Sequence, residues 1–289
     1  MVTHALQASI RTATKADTQS LANLVHFEQY VHRHLDWRPP LEWIGHAPYL
    51  VAERNRNIIA ALASPPDPPN IAWIRLFAVR SDFSPKAAWE ELWPEALATL
   101  EQFSPSVSAA AIPMQSWFRK LLEFSGFNQT HKVVVLAWRA GVEACSPGKI
   151  GAIIRPMNLD DLSAVEDIDM AAFGAVWQNT LSCLELAYRQ AAIATVAETE
   201  GKLVGYQIST ATTMGGHLAR LAVTPAYQGR GIGYSLLCDM LAQFERRGAY
   251  HVTVNTQHDN LSSLSLYQKA GFRRTGEEYP VYQYYPLLK

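Results

Sequence analysis

The run Gln228-Gly229-Arg230-Gly231-Ile232-Gly233 alternates glycine with larger residues and carries one cation. Such a turn between a strand and a helix can bind phosphate. The helix start offers unpaired N–H groups and a partial positive charge, and glycines let the backbone close on the anion. Taken alone, a glycine-rich run is equally a tight turn that needs positive φ. Two phosphate loops are excluded by residue type. No Gly-Lys-Ser/Thr ending follows, as a nucleotidase loop would need. A dinucleotide fold would place the turn after its first strand, with an acid about 20 residues later. Farther along stand Asn260 and Tyr267. An asparagine before a helix caps it, and a phenol is protonated at neutral pH and can donate. His217, Arg220 and His258 are the nearby side chains able to relay a proton or hold charge, with no carboxylate on that strand.

The elements that would hold these residues follow from periodicity. Ile153-Ile154-Arg155 reads as a strand, and Asn158-Leu159-Asp160-Asp161 caps a helix through Asp169. A second helix is expected near 181–191. Strands at 193–198 and 203–210 are joined at Glu200-Gly201, a hairpin signal. A strand at 218–223 leads through Thr224-Pro225-Ala226-Tyr227 to the glycine run. Leu236, Leu237, Met240, Leu241 and Phe244 then mark a helix at 231–247. A strand at 251–255, a helix at 262–270 closed by Gly271, and a strand at 282–287 complete the set. The order β-α-α-β-β-β-α-β-α-β is that of an α/β domain. The glycine run follows its fourth strand.

The chain also repeats itself at an offset of 144 or 145 residues. Ile10-Arg11 matches Ile154-Arg155, and Asp17 matches Asp161. Val51-Ala52-Glu53 matches Val196-Ala197-Glu198, Phe77-Ala78-Val79 falls on Leu221-Ala222-Val223, and Gly126-Phe127 falls on Gly271-Phe272. Matches in constant order and spacing argue for a duplicated domain. The expected division is 1–140, a linker at 141–150 rich in small residues, and 151–289. Because Glu198 recurs as Glu53, it is read as a fold feature and not as a catalytic group.

Composition sets the outer limits. The 289 residues are 48% hydrophobic and 18% charged, with net charge −1, which suits two packed domains. No long basic run invites nucleic acid or an anionic membrane, and no span of about 20 apolar residues suggests membrane crossing. The N-terminus lacks the apolar core of a signal peptide. Cys145, Cys183 and Cys238 lack metal-ligand spacing and are expected as free thiols in the cytoplasm.

Gln228-x-x-Gly231-x-Gly233 after Leu221-Ala222-Val223, followed by Asn260…Leu266-Tyr267-Gln268-Lys269-Ala270-Gly271-Phe272, closely resembles the two diagnostic segments of the GNAT acyltransferase superfamily. The resemblance covers essentially all of 151–289. It implies two tandem GNAT-like α/β domains, each a mixed, mostly antiparallel twisted sheet flanked by helices. It further implies acetyl-CoA as acyl donor. The pantetheine arm would pair with the main chain of Leu221, Ala222 and Val223. The pyrophosphate would lie on Gln228, Gly229, Arg230, Gly231, Ile232 and Gly233, with Tyr234 and Ser235 in the first helical turn. Asn260 would contact the pantetheine arm, and Tyr267 would be the general acid and would also touch the coenzyme. The base is not identified by the sequence; His217 and His258 could each relay a proton through water. No metal is implied. The expected partner is a small-molecule or peptide amine, with the chain a monomer or homodimer. Phe173, Trp177, Tyr279, Tyr282, Tyr284 and Tyr285 are candidates for the acceptor side, and Ala172-Phe173-Gly174…Trp177 resembles enzymes that acetylate ribosomal-protein N-termini. The alternative is a non-catalytic coenzyme-A-binding sensor, which would need the loop but not the acid.

The first half lacks both motifs. The positions of Gln228 to Gly233 are occupied there by Ser84-Pro85-Lys86-Ala87-Ala88-Trp89, and those of Asn260 and Tyr267 by Gln115 and Leu122. Pro85 has no N–H to offer, and leucine cannot donate a proton. The first half is therefore expected to keep the fold and to have lost coenzyme chemistry.

Overall fold

The computed structural model describes residues 6–286 except 105, 142–144, 147–150 and 214. Most of the expected linker at 141–150, and the end of the strand expected at 282–287, lie outside the described residues. The chain forms two compact units.

Unit 1 comprises residues 6–130 and 280–286. Its elements begin with β1 (Ser9–Thr12), α1 (Thr18–Phe27), β2 (Tyr30–Arg33), β3 (Tyr49–Arg54), β4 (Asn57–Ala63), β5 (Ile71–Trp73) and β6 (Leu76–Val79). There follow α2 (Pro85–Phe103), β7 (Ser108–Ala111), α3 (Ser116–Phe124) and the start of β8 (Asn128–Arg139). Five strands form an antiparallel sheet in the order β1-β3-β4-β6-β2. Alternation along its strands separates two cores. On one face Leu62, Phe77 and Val79 meet Trp89, Trp93 and Phe118 of α2 and α3. On the other, Tyr49, Ala61, Leu76 and Ala78 meet Leu21 and Leu24 of α1.

Unit 2 comprises residues 131–279. It contains β9 (Ile153–Pro156), α4 (Leu162–Ala172), α5 (Leu181–Gln190), β10 (Ile193–Thr199), β11 (Lys202–Ala211) and β12 (Gly215–Val223). Then come α6 (Ile232–Arg246), β13 (His251–Gln257), α7 (Leu261–Lys269) and most of β14 (Arg273–Tyr284). Its sheet runs β9-β10-β11-β12-β13-β8-β14. Leu237, Met240, Leu241 and Phe244 of α6 pack on Leu218, Val252 and Val254.

The units are not the two halves of the sequence. Val133 to Arg139 of β8 pair antiparallel with β13 in unit 2, and Tyr282 to Tyr284 of β14 pair with β7 in unit 1. The unit 2 sheet thus takes in a strand from the first half of the sequence, and the β5–β7 pair of unit 1 gains one from the second half, so the compact units divide at Thr130 and Tyr279. Strand exchange leaves no mark in local periodicity, because an exchanged strand alternates like a retained one.

The duplication is visible in side-chain detail. In unit 1 Arg11 joins Asp17 at 2.8 Å and Glu53 at 2.7 Å. In unit 2 Arg155 joins Asp161 at 2.8 Å and Glu198 at 3.0 Å. Asp17 accepts the Thr14 N–H, as Asp161 accepts that of Asn158, each closing a cap before its helix. The register slips at Ala52/Glu53 and again at Ala197/Glu198. Both glutamates therefore anchor the first strand to a bulge in the second, as the repeat suggested.

His32 on β2 is 1% exposed and stacks on Phe118 at 4.1 Å between centroids. Its Nε2 faces the Ile74 carbonyl at 3.1 Å. A carbonyl only accepts, so Nε2 carries the proton. Burial pushes the imidazole down to about 4. Below pH ~6.5 the unfolded chain binds a proton that the folded chain refuses, so stability falls with pH from there to about 4. We expect this to remove about 3 kcal/mol over that window, and a His32→Leu variant to flatten the slope in denaturant titrations. An unaltered slope would show that His32 is not its source.

Cys145 and Cys238 form a disulfide, with Cα atoms 5.2 Å apart, a normal bridging distance. This corrects the expectation of three free thiols, since sequence spacing of 93 residues gives no hint of the approach. Thiol titration of the unreduced, denatured chain should count one thiol, from Cys183. Three thiols would mean that the bridge does not form.

Candidate functional site

In unit 2, β12 and β13 run parallel and pair from Gly215↔His251 to Leu218↔Val254. The pairing then stops, although β12 continues to Val223 and β13 to Gln257. On its other side β12 stays bonded to β11 through Val223, with a register slip at Ile208/Ser209. The two strands therefore part into a wedge. Within it, Ala219 to Val223 present main-chain groups that β13 does not use. Leu221, Ala222 and Val223 all lie on this stretch.

The wedge opens toward the glycine run. Gly229 has φ +74° and Gly231 φ +82°, a left-handed backbone that side chains other than glycine rarely tolerate. Gly231 is the N-cap of α6, and the first helical bond is that from the Ser235 N–H to the Gly231 carbonyl at 3.0 Å. The N–H groups of Ile232, Gly233 and Tyr234 precede that bond and have no helical acceptor. Ser235 is different: its N–H is spent in the helix and its side chain is 2% exposed. Gly233 does not need a special φ. A Cβ there would lie 3.5 Å from Leu266 and 3.6 Å from Val223, an ordinary contact.

The neighbours of the loop shape it. The Gln228 amide donates to the Val223 carbonyl at 2.9 Å. Arg230 donates to the Ala226 carbonyl at 3.0 Å and lies over the Tyr227 ring at 4.9 Å. The ammonium of Lys269, which the sequence reading did not single out, stands 4.3 Å from the Tyr234 ring centre. It adds a second cation near the start of α6.

Tyr267 on α7 is 5% exposed and shares an apolar cluster with Val254 of β13 and the partly buried Leu221 of β12. Burial holds its phenol well above the ordinary tyrosine range, so it stays a proton donor. Asn260 caps α7 by accepting the Ser263 N–H at 3.1 Å, while its amide faces Gln257 at 3.3 Å. His217 sits one rung before the wedge opens, with Nδ1 2.8 Å from the Thr253 hydroxyl. Burial lowers its pKa, so it is neutral at neutral pH and can accept a proton. His258 lies on an exposed turn 3.8 Å from Asp259.

The carboxylate missing from β12 arrives from α4. Asp169 is fully buried and accepts from Arg220 Nε at 2.7 Å, Arg220 Nη2 at 2.8 Å and the Asn179 N–H at 2.8 Å. The Tyr206 hydroxyl donates to it as well. With both oxygens so occupied, Asp169 is an anchor and not a base. Its sequence signal was available: a carboxylate next to Ile168 on the buried stripe of α4, and an arginine inside a strand.

The aromatic candidates divide. Phe173 lies under the Arg220 guanidinium at 3.7 Å, and the Trp177 ring meets His131 edge-on at 5.8 Å. Tyr282 and Tyr284 instead belong to the apolar cluster of unit 1, where Tyr282 donates to Glu123 at 2.6 Å. Strand exchange thus assigns both to the packing of unit 1. Tyr279 donates to Glu277 at 3.1 Å, and Tyr285 is exposed.

In unit 1 the parallel pair β5 and β7 repeats the start of the wedge, but the cradle is absent. Ser84 caps α2 through the Ala87 N–H at 3.3 Å, Trp89 is 1% exposed in the core, and Leu122 is fully buried.

Comparison with known proteins settles the family. Residues 162–272 match the model of the acetyltransferase (GNAT) family. An uncharacterized N-acetyltransferase of Methanocaldococcus jannaschii is 30% identical over 122 residues, 42% of this chain and 78% of that protein. The chain belongs to the GNAT family. The N-alpha-acetyltransferase RimI of Mycobacterium tuberculosis is 39% identical over 84 residues, and the match covers 28% of this chain and 51% of RimI. The match thus spans about half of that relative's length. Among solved structures, a tandem GNAT protein from the clavulanic acid biosynthesis pathway superposes with a TM-score of 0.65 at 13% identity, over 98% of this chain and all of that one. The GNAT fold therefore occurs twice along the chain. Among the described residues no helix is long and apolar enough to cross a membrane.

Proposed function

We propose that unit 2 transfers an acetyl group from acetyl-CoA to a primary amine by direct attack in a ternary complex. The observation that carries this reading is the β12–β13 wedge, which ends on the open N–H groups of Ile232, Gly233 and Tyr234 and has Tyr267 packed beside it. Pantetheine would pair with Leu221 to Val223, and the pyrophosphate would rest on Gly229 to Tyr234 beside Arg230. The amine nitrogen attacks the thioester carbon, the C–S bond breaks, the departing sulfur takes the proton of the Tyr267 hydroxyl, and the proton shed by the acylated nitrogen restores that hydroxyl. The amine must first lose a proton. His217 is the base this geometry favours over His258, being neutral, half-buried and next to the opening of the wedge.

Unit 1 keeps the fold without the coenzyme. The loss of all three loop glycines and of the acid, with the sheet intact, supports that assignment. Peptide α-amines are the first acceptors to test. Besides RimI, the [ribosomal protein bS18]-alanine N-acetyltransferase of Escherichia coli is a relative, 29% identical over 72 residues, 25% of this chain and 49% of that protein.

The test is thiol release from acetyl-CoA across peptide N-termini, polyamines, aminoglycosides and small amines. Release with one amine class, and an acidic limb of kcat/KM below pH ~6.5 that His217→Ala removes, is the expected result. Tight coenzyme binding with no release on any amine would favour a coenzyme-A sensor instead.

A further inference from the structure

The Asp169–Tyr206–Arg220 cluster has a function that the fold does not require. Matched through strand register and the common offset, these three positions in unit 1 are Val25, Ala61 and Leu76. Ile208↔Arg220 corresponds to Ala63↔Leu76, and Tyr206↔Ala222 to Ala61↔Ala78. In unit 1 they lie in the apolar cluster between α1 and the sheet. The three matched positions themselves are thus apolar in unit 1, where the buried charge nearby is a different pair, Arg75 with Asp36 at 2.7 Å, lying over Trp43. A buried ion pair is commonly no more stabilising than apolar packing of similar volume, so stability does not account for the charged version in unit 2.

What the charged version does is hold a loop. Asp169 accepts the Asn179 N–H at 2.8 Å, and Arg220 donates to the Trp177 carbonyl and covers the Phe173 ring at 3.7 Å. The Gln178 amide donates to the carbonyls of Met170 at 3.0 Å and Phe173 at 3.1 Å, closing the segment on the end of α4. Arg220 itself stands on the stretch of β12 that has parted from β13. One guanidinium therefore ties the 173–179 connection to the strand that lines the wedge. Lysine could not replace it, because only the planar fork reaches Asp169 at two points and the Trp177 carbonyl while stacking on a ring.

We propose that Asp169, Tyr206 and Arg220 are positioning residues that fix segment 173–179 as the wall against which the acceptor amine docks. This rests on the acetyl-transfer reading above for the identity of the docking molecule, but not for the clamp itself. None of the three lies on the Gly229–Tyr234 loop, so coenzyme affinity should be independent of them.

The test replaces the cluster by apolar residues of matching role: Asp169→Val, Tyr206→Phe and Arg220→Leu together, with Arg220→Lys as a milder second variant. Amide hydrogen exchange at 173–179 should accelerate at least tenfold, on the order of one lost anchoring contact. Affinity for acetyl-CoA should stay within about twofold of wild type, and KM for an alanine-initiated peptide should rise about tenfold or more with kcat much less affected. Arg220→Lys, which keeps the charge but not the fork, should fall between. It also serves as the test should the triple variant fail to fold. Wild-type exchange at 173–179 in a folded variant overturns the proposal, as does faster exchange with an unchanged KM. A wild-type chain that releases no thiol with any amine overturns the acetyl-transfer reading, and the exchange measurement then still decides whether the clamp exists.

Discussion

Replacing Tyr267 by phenylalanine should lower kcat by about 10²- to 10⁴-fold and leave coenzyme affinity nearly unchanged. The hydroxyl is the only group removed, and the ring keeps its place against Phe272 at 5.7 Å between centroids. The buried apolar setting that raises the phenol's pKa also makes it a reluctant acid in the free chain. A thiolate leaving group is the partner that draws the proton out, so the loss should be largest for donors with a poor leaving group. Fluorescence or calorimetric titration with coenzyme A separates binding from chemistry. Equal turnover in the variant would remove Tyr267 from the mechanism.

Gly231→Trp should abolish coenzyme binding altogether. The position is left-handed, at φ +82°, and forms the N-cap of α6. A side chain there costs on the order of 1–3 kcal/mol in backbone strain and fills the space a pyrophosphate must enter. The sheet beneath is built from other residues, so unfolding temperature should drop only modestly, and binding is to be measured well below it. The same titration reads unit 1. The unaltered chain should bind one equivalent of acetyl-CoA, and the variant none. One equivalent at normal affinity in the variant would show that the phosphates do not enter at Gly231, and two equivalents on the unaltered chain would show that the Ser84-capped start of α2 binds coenzyme, contrary to the loss of its glycines.

Much of this was legible from residue type. The alternation Leu218–Val223 followed by Gln228–Gly233 and a helical stripe places a glycine-rich turn at a helix start without reference to any other part of the chain. That arrangement is local: positive φ at Gly229 and Gly231 and unpaired N–H groups at α6 depend on a handful of consecutive residues. The repeat was legible for a similar reason. Arg11, Asp17 and Glu53 recur as Arg155, Asp161 and Glu198 because each set locks a strand, a helix cap and a bulge whose spacing the fold fixes. The absence of the glycines from the first copy could be read as well, since Pro85 and Trp89 stand at the matching helix start.

Other features depend on residues far apart in the chain, and these the sequence did not announce. Strand exchange moved Tyr282 and Tyr284 from the expected acceptor side into the core of unit 1. Cys145 and Cys238, 93 residues apart, became a disulfide. Above all, the missing carboxylate of β12 proved to be Asp169, 51 residues from Arg220. The sequence by itself determined which copy carries the glycine cradle and the phenol, because helix ends, turns and single side-chain chemistries are set by near neighbours. Only the tertiary structure decided which strands complete each sheet, where β12 leaves β13, and how Asp169 and Arg220 hold the 173–179 segment, because pairing register and buried charge depend on long-range packing that periodicity does not encode.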